Sequence, residues 1–191
     1  MHGPDHETTH AWLRIEDHGS LEHARLQPAP DGWRADGTVL AIDAGSPLRV
    51  DYRLTLDARW RTRELWLEQT WHGARSTLRL QRADDDSWQQ DGQPVLALQG
   101  CQDVDLGLSP LTNTPPIRRM LADGLDRASF DMAWVQFPGP RVTRAAQRYT
   151  RLDAGRWRYE GLGSHFEAEL DVDPEGIVTR YGQLWQRIAQ G

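Results

Sequence analysis

Leu48-Arg49-Val50-Asp51-Tyr52-Arg53-Leu54-Thr55-Leu56-Asp57 decides the fold class of this chain. Leu48, Val50, Tyr52, Leu54 and Leu56 alternate with Arg49, Asp51, Arg53, Thr55 and Asp57, which is the period of a strand with one wet face. The pattern recurs along the chain. Leu65 and Leu67 alternate with Glu64, Trp66 and Glu68, and Leu78 and Leu80 with Arg79 and Gln81. Phe130, Met132 and Trp134 line one face, and Trp157 and Tyr159 sit between Arg156, Arg158 and Glu160. Phe166, Ala168, Leu170 and Val172 alternate with Glu167, Glu169 and Asp171. Turn signals separate these runs at Asp31-Gly32, Asp36-Gly37, His72-Gly73, Asp91-Gly92, Pro138-Gly139, Asp153-Ala154-Gly155 and Pro174-Glu175-Gly176. The reading is a mainly β protein, an antiparallel meander curled into a barrel, roll or sandwich.

Helical periodicity is scarce. Pro115 to about Ala122 is the best helix, with Asn113 or Thr114 as its cap, Pro115 at the first position and Gly124 past its end. A weaker helix is expected over Gln183 to Ala189. Residues 1–10, polar and interrupted by Gly3 and Pro4, read as a flexible tail, and residues 11–191 as one β-roll domain. Within it, Arg61-Thr62-Arg63 and Thr143-Arg144 follow comparable strands, a hint of two similar halves joined by the 100–120 segment.

The 191 residues suffice for a substantial core, and nine tryptophans are too many for a disordered chain. Every one of the 22 basic residues is arginine, which favours forked pairing with carboxylate or phosphate. The net charge of -6 and the lack of a basic block argue against nucleic-acid binding. No stretch approaches the ~20 apolar residues of a spanning helix, and residues 1–10 hold no apolar signal segment, so a cytoplasmic, membrane-free protein is expected. Cys101 is the lone cysteine and excludes an internal disulfide. His2, His6, His10, His18 and His23 invite a metal reading, yet their polar surroundings fit a frayed tail better. Neither a metal site nor a cofactor is expected, and no catalytic motif is present.

Candidate chemistry concentrates between Gly100 and Met120. Asp103 and Asp105, two apart, share one face of a strand. They suit sugar hydroxyls, a hard cation or acid–base work; equally, they suit bracing the turn at Gly107–Pro110 or pairing with Arg118 and Arg119. Thr112, Asn113 and Thr114 before Pro115-Pro116 make a helix start, whose free N–H groups can seat an anion or simply be capped. Trp60, among Arg59, Arg61 and Arg63, is either a core residue or one wall of a sugar or lipid groove.

The run Gly100 to Arg119 resembles the signature of a bacterial glycolipid-binding family, formerly a domain of unknown function. Looser matches extend through Trp60-Arg61-Thr62-Arg63, Gln147-Arg148-Tyr149-Thr150 and Asp173-Pro174-Glu175-Gly176-Ile177-Val178 with Tyr181. One departure is Tyr181-Gly182-Gln183, where a Tyr-Pro-Gly turn belongs. The resemblance implies a large curled antiparallel sheet, a β-roll or open barrel, wrapped around one short helix. It also implies a homodimer, a remote likeness in fold to periplasmic lipoprotein carriers, and an acidic pocket. On that basis the expected function is binding of a glycolipid or related amphipathic, sugar-containing ligand. Asp103, Asp105, Thr112, Asn113 and Arg118 form its polar site, with Trp60 and Arg61 beside it. The alternatives are an enzyme of glycolipid or glycoside metabolism using Asp103 and Asp105 as acid and base, and a dimeric structural or interaction module.

Overall fold

The computed structural model describes residues 6–16 and 19–191. The first meander comprises β1 (Thr8–Arg14), β2 (Ser20–Ala29), β3 (Gly32–Asp43), β4 (Ser46–Asp57), β5 (Thr62–Trp71), β6 (Ala74–Arg82), β7 (Trp88–Gln90) and β8 (Gln93–Pro94). After a 3-10 turn at Leu96–Leu98 come β9 (Asp103–Leu106), a second 3-10 turn at Leu111–Asn113 and the helix α1 (Thr114–Asp123). The second meander continues as β10 (Arg127–Gln136), β11 (Arg141–Arg151), β12 (Arg156–Gly161), β13 (Glu167–Val172), β14 (Val178–Tyr181) and β15 (Trp185–Gln190).

All of these strands join one sheet, in which the meanders meet where β1 pairs antiparallel with β15. β9 and β10 run parallel, because α1 carries the chain back across between them. The sheet curls around α1. At its far edge the Thr62 amide donates to Gln102 O at 3.0 Å, and the Val104 amide donates to Thr62 Oγ1 at 3.1 Å, so β9 comes up against the start of β5.

The alternation read from residues 48–57 is the burial pattern of β4: Leu48, Val50, Tyr52, Leu54 and Leu56 are buried, whereas Arg49 and Arg53 face solvent. Apolar packing falls into two clusters. One gathers Trp12, the inner residues of β3–β6 and Trp88; the other gathers Ile117 and Met120 of α1 with Met132, Tyr149, Trp157 and Leu170. Indole N–H groups pin distant segments together: Trp12 donates to Val178 O at 2.7 Å and Trp88 to Cys101 O at 2.9 Å.

Three expectations are corrected. Residues 8–10 are not tail: Thr8 and His10 are buried in β1, which pairs on one side with β2 and on the other with β15. Burial lowers the His10 pKa to about 4. The segment 183–189 is no helix; it forms β15, whose pairing with β1 and β14 overrides its weak helical pattern. Asp36-Gly37 is no turn but lies mid-strand in β3. A Cβ at Gly37 would come within 2.3 Å of the Tyr52 ring, so the glycine makes room for an aromatic laid across it. His2 and His18 lie outside the described residues. Among the described residues no group of three or more His, Cys, Asp or Glu could hold a metal ion, and no helix is long and apolar enough to cross a membrane.

Candidate ligand-binding site

β9 sets Asp103 and Asp105 opposite Met132 and Trp134 of β10. Their fates differ. Asp103 is 0% exposed and closed in a fork with Arg119: Nη1 donates to Oδ1 at 2.8 Å, and Nη2 donates to Oδ2. The same Nη1 donates to Trp60 O at 3.0 Å, and the guanidinium lies 5.0 Å from the Phe130 ring centre. This is a structural brace between α1, β9 and the turn before β5, with no lone pair offered to a ligand.

Asp105 faces a hollow of about 700 Å³. Thr112 Oγ1 donates to its Oδ1 at 3.0 Å and Gln147 Nε2 donates to its Oδ2 at 2.7 Å. Burial raises its pKa against these two hydrogen bonds. The network continues outward: Tyr149 donates to Asn113 Oδ1 at 2.9 Å and lies 3.2 Å from Gln147 Oε1. Asn113 Nδ2 donates to Pro110 O at 3.2 Å. Asn113 is therefore spent on this network and does not cap α1 with its side chain. The α1 start is buried throughout, from Thr114 to Arg118, which closes off the anion seat considered from the sequence.

Aromatic rings build the opposite wall. Tyr159 packs edge-on against Tyr149 at 5.5 Å, against Phe166 at 5.9 Å and against Tyr181 at 5.9 Å. Tyr159, Phe166 and Tyr181 line the hollow. The Tyr159 and Tyr181 hydroxyls make no hydrogen bond to another described residue, yet neither is among the sealed, unpartnered polar atoms, so both are open to the hollow. Burial raises both phenol pKa values, and the nearby Asp105 carboxylate pushes them the same way. Ala145, Ala146, Leu162 and Leu184 supply apolar surface at the rim.

The expected site is thus divided. Asp105 and Asn113 line this hollow, with Thr112 behind Asp105. Trp60, Arg61 and Arg118 line a separate hollow of about 620 Å³, and Asp103 lies in neither lining. Arg118 does not orient the aspartates; it lies over the Trp60 ring, 4.1 Å from its centre. The acid–base pair considered for Asp103 and Asp105 is not assembled, because Arg119 holds one member. Gln147, Tyr149, Tyr159 and Tyr181 were missed as site residues. They sit 40 or more positions from Asp105 in sequence, and only the successive pairing of β10 through β14 brings them to it.

An open, curled antiparallel sheet around one helix, with a polar-floored aromatic hollow, defines a β-barrel-like fold. The chain belongs to the family described as "Putative glycolipid-binding", whose profile matches residues 9–187. A crystal structure of a DUF1089 family protein from Pseudomonas aeruginosa is 37% identical, with a TM-score of 0.78 over 87% of this chain and 92% of that one. A β-barrel-like protein of domain DUF1849 from Brucella abortus shares the fold, with a TM-score of 0.56 at 10% identity over 100% of this chain and 98% of that one. No similar sequence was found among curated proteins.

Proposed function

We propose that the chain binds a glycolipid, or a related amphiphile carrying a sugar, in the hollow floored by Asp105. The observation that carries this reading is a half-buried carboxylate facing tyrosine hydroxyls that have no hydrogen-bond partner among the described residues. Sugar hydroxyls donate to carboxylates and accept from phenols, and sugar faces pack on aromatic rings, so Asp105, Tyr159, Tyr181 and Phe166 are complementary to one ring. The alanine and leucine rim suits the start of an acyl or alkyl chain, whose burial supplies affinity at ~25 cal/mol per Å² before association costs. The family's description supports the same class of ligand.

Tyr181→Phe and Tyr159→Phe delete only hydroxyls without a hydrogen-bond partner among the described residues, so folding stability stays unchanged. With octyl glucoside as the calorimetric probe, the double variant binds about tenfold more weakly, and Asp105→Asn does likewise. Unchanged binding in both would refute the reading.

A further inference from the structure

The aspartates drawn into the interior do not share one kind of partner. Asp103 is forked by Arg119, and Asp57 is met by Arg61 and Arg82. Asp105 has no such cation. Its hydrogen-bond partners, Thr112 and Gln147, are neutral, and no arginine or histidine among the described residues pairs with it. The hollow it faces has one other charged lining residue, Arg144. That guanidinium is exposed and already held, donating to Asp131 Oδ2 at 2.5 Å and to Gln99 O at 3.0 Å. A carboxylate drawn out of water without a cation is costly, so the floor of the hollow carries unbalanced negative charge. That charge reaches across the hollow, where it helps to hold the Tyr159 and Tyr181 phenols in their protonated form.

The wall favours the same sign of ligand charge. Tyr159 lies 5.9 Å from both Phe166 and Tyr181, and Phe166 lies 6.2 Å from Tyr181, with planes tilted by 58–62°. Trp134 lines the hollow from beside Asp105, its register partner across β9 and β10. Aromatic rings attract a cation through their negative faces, more strongly where water is excluded. A carboxylate floor and a ring-rich wall therefore both disfavour an anion. A neutral sugar meets the hydrogen-bonding groups but leaves the carboxylate unbalanced.

We propose that the amphiphile taken by this hollow carries a protonated amine in its head, seated between Asp105 and the rings of Tyr159 and Tyr181. The inference rests on the reading of this hollow as the ligand site and adds the charge of the ligand. An amino sugar satisfies both parts: its ammonium group pairs with Asp105, and its remaining hydroxyls bond the phenols. An amine on a lipid head without a sugar shares the chemistry.

The test is calorimetric titration of the full chain at pH 7 with octyl amphiphiles below their micellar concentrations: octyl glucoside, octyl glucosaminide, octyl N-acetylglucosaminide and octylammonium. Octyl glucosaminide is expected to bind about tenfold more tightly than octyl glucoside. N-acetylation removes the charge and keeps the ring, so it should abolish that gain. Asp105→Asn should bind octyl glucoside and octyl glucosaminide alike, because the carboxylate supplies the preference. Tighter binding of octylammonium than of octyl glucosaminide assigns the amine to a head without a sugar, and the reverse order to an amino sugar; either supports the cation seat. Saturation by octylammonium but not by octyl glucoside would keep the amine and remove the neutral sugar. Equal affinity of the two sugars in wild type, or a preference that survives in Asp105→Asn, would overturn the inference and leave the glycolipid reading standing. No saturable heat from any probe would overturn both.

Discussion

Glu22 offers a sharp test of how this core is built. It projects from β2 into the interior at 0% exposure. Its Oε1 accepts from Tyr52 Oη and from Ser109 Oγ, both at 2.6 Å, while Oε2 is buried without a hydrogen-bond partner. Burial raises its pKa from 4.5 to about 7, against the opposing Ser109 and Tyr52 hydrogen bonds. A folded-state pKa above the unfolded value means that the native protein holds the proton more tightly. Stability is therefore greatest below 4.5, falls as pH rises from there to about 7, and stays at the lower level above. The loss amounts to about 3 kcal/mol, an order-of-magnitude value for this shift. Glu22→Gln keeps the shape and the Oε1 acceptor but cannot ionise. Its amide nitrogen, taking the unpartnered Oε2 position, leaves two buried N–H donors unpaired, at a cost that does not change with pH. Urea unfolding at pH 5 and pH 8 isolates the ionisation, because all other titrations are common to both proteins. Relative to wild type, the variant should gain about 2.5 kcal/mol on going from pH 5 to pH 8, since part of the loss has already occurred at pH 5. Parallel stability profiles across that range would refute the buried-carboxylate reasoning.

Other perturbations follow from the same geometry. Asp103→Asn strands the Arg119 guanidinium in the interior and should cost about 3–5 kcal/mol in chemical denaturation, so a loss below about 1 kcal/mol would show that the pair is no brace. Gly124 ends α1 at φ 66, with no atom within 4 Å of a Cβ placed there. Gly124→Ala should therefore cost about 1 kcal/mol from backbone strain alone, and a neutral thermal melt would contradict that assignment.

Much of the architecture could be read from local pattern. Period-two alternation at 48–57 and 166–172 identified strands, because in a strand the two faces are separated residue by residue. Pro115 and Gly124 bracketed α1, because each restricts or permits backbone angles without needing a neighbour. Where local pattern failed, a long-range partner had intervened. Gly37 looks like a turn until the Tyr52 ring is seen lying on it. The C-terminal residues look helical until β1 and β14 pair with them.

The candidate site was legible by half. Spacing put Asp103 and Asp105 on one strand, but it could not distinguish a carboxylate closed by Arg119 from one floored by Gln147. Arg119 comes from one turn of α1, and Gln147 from the middle of β11. Alternation, turn chemistry and helix bounds are short-range properties of the chain, and the sequence alone determined them. The division of one expected acidic pocket into an ion-paired brace, a tyrosine-lined hollow and an arginine-lined one was decided only in three dimensions. A side chain's solvation and charge depend on which distant residues the folded sheet lays against it.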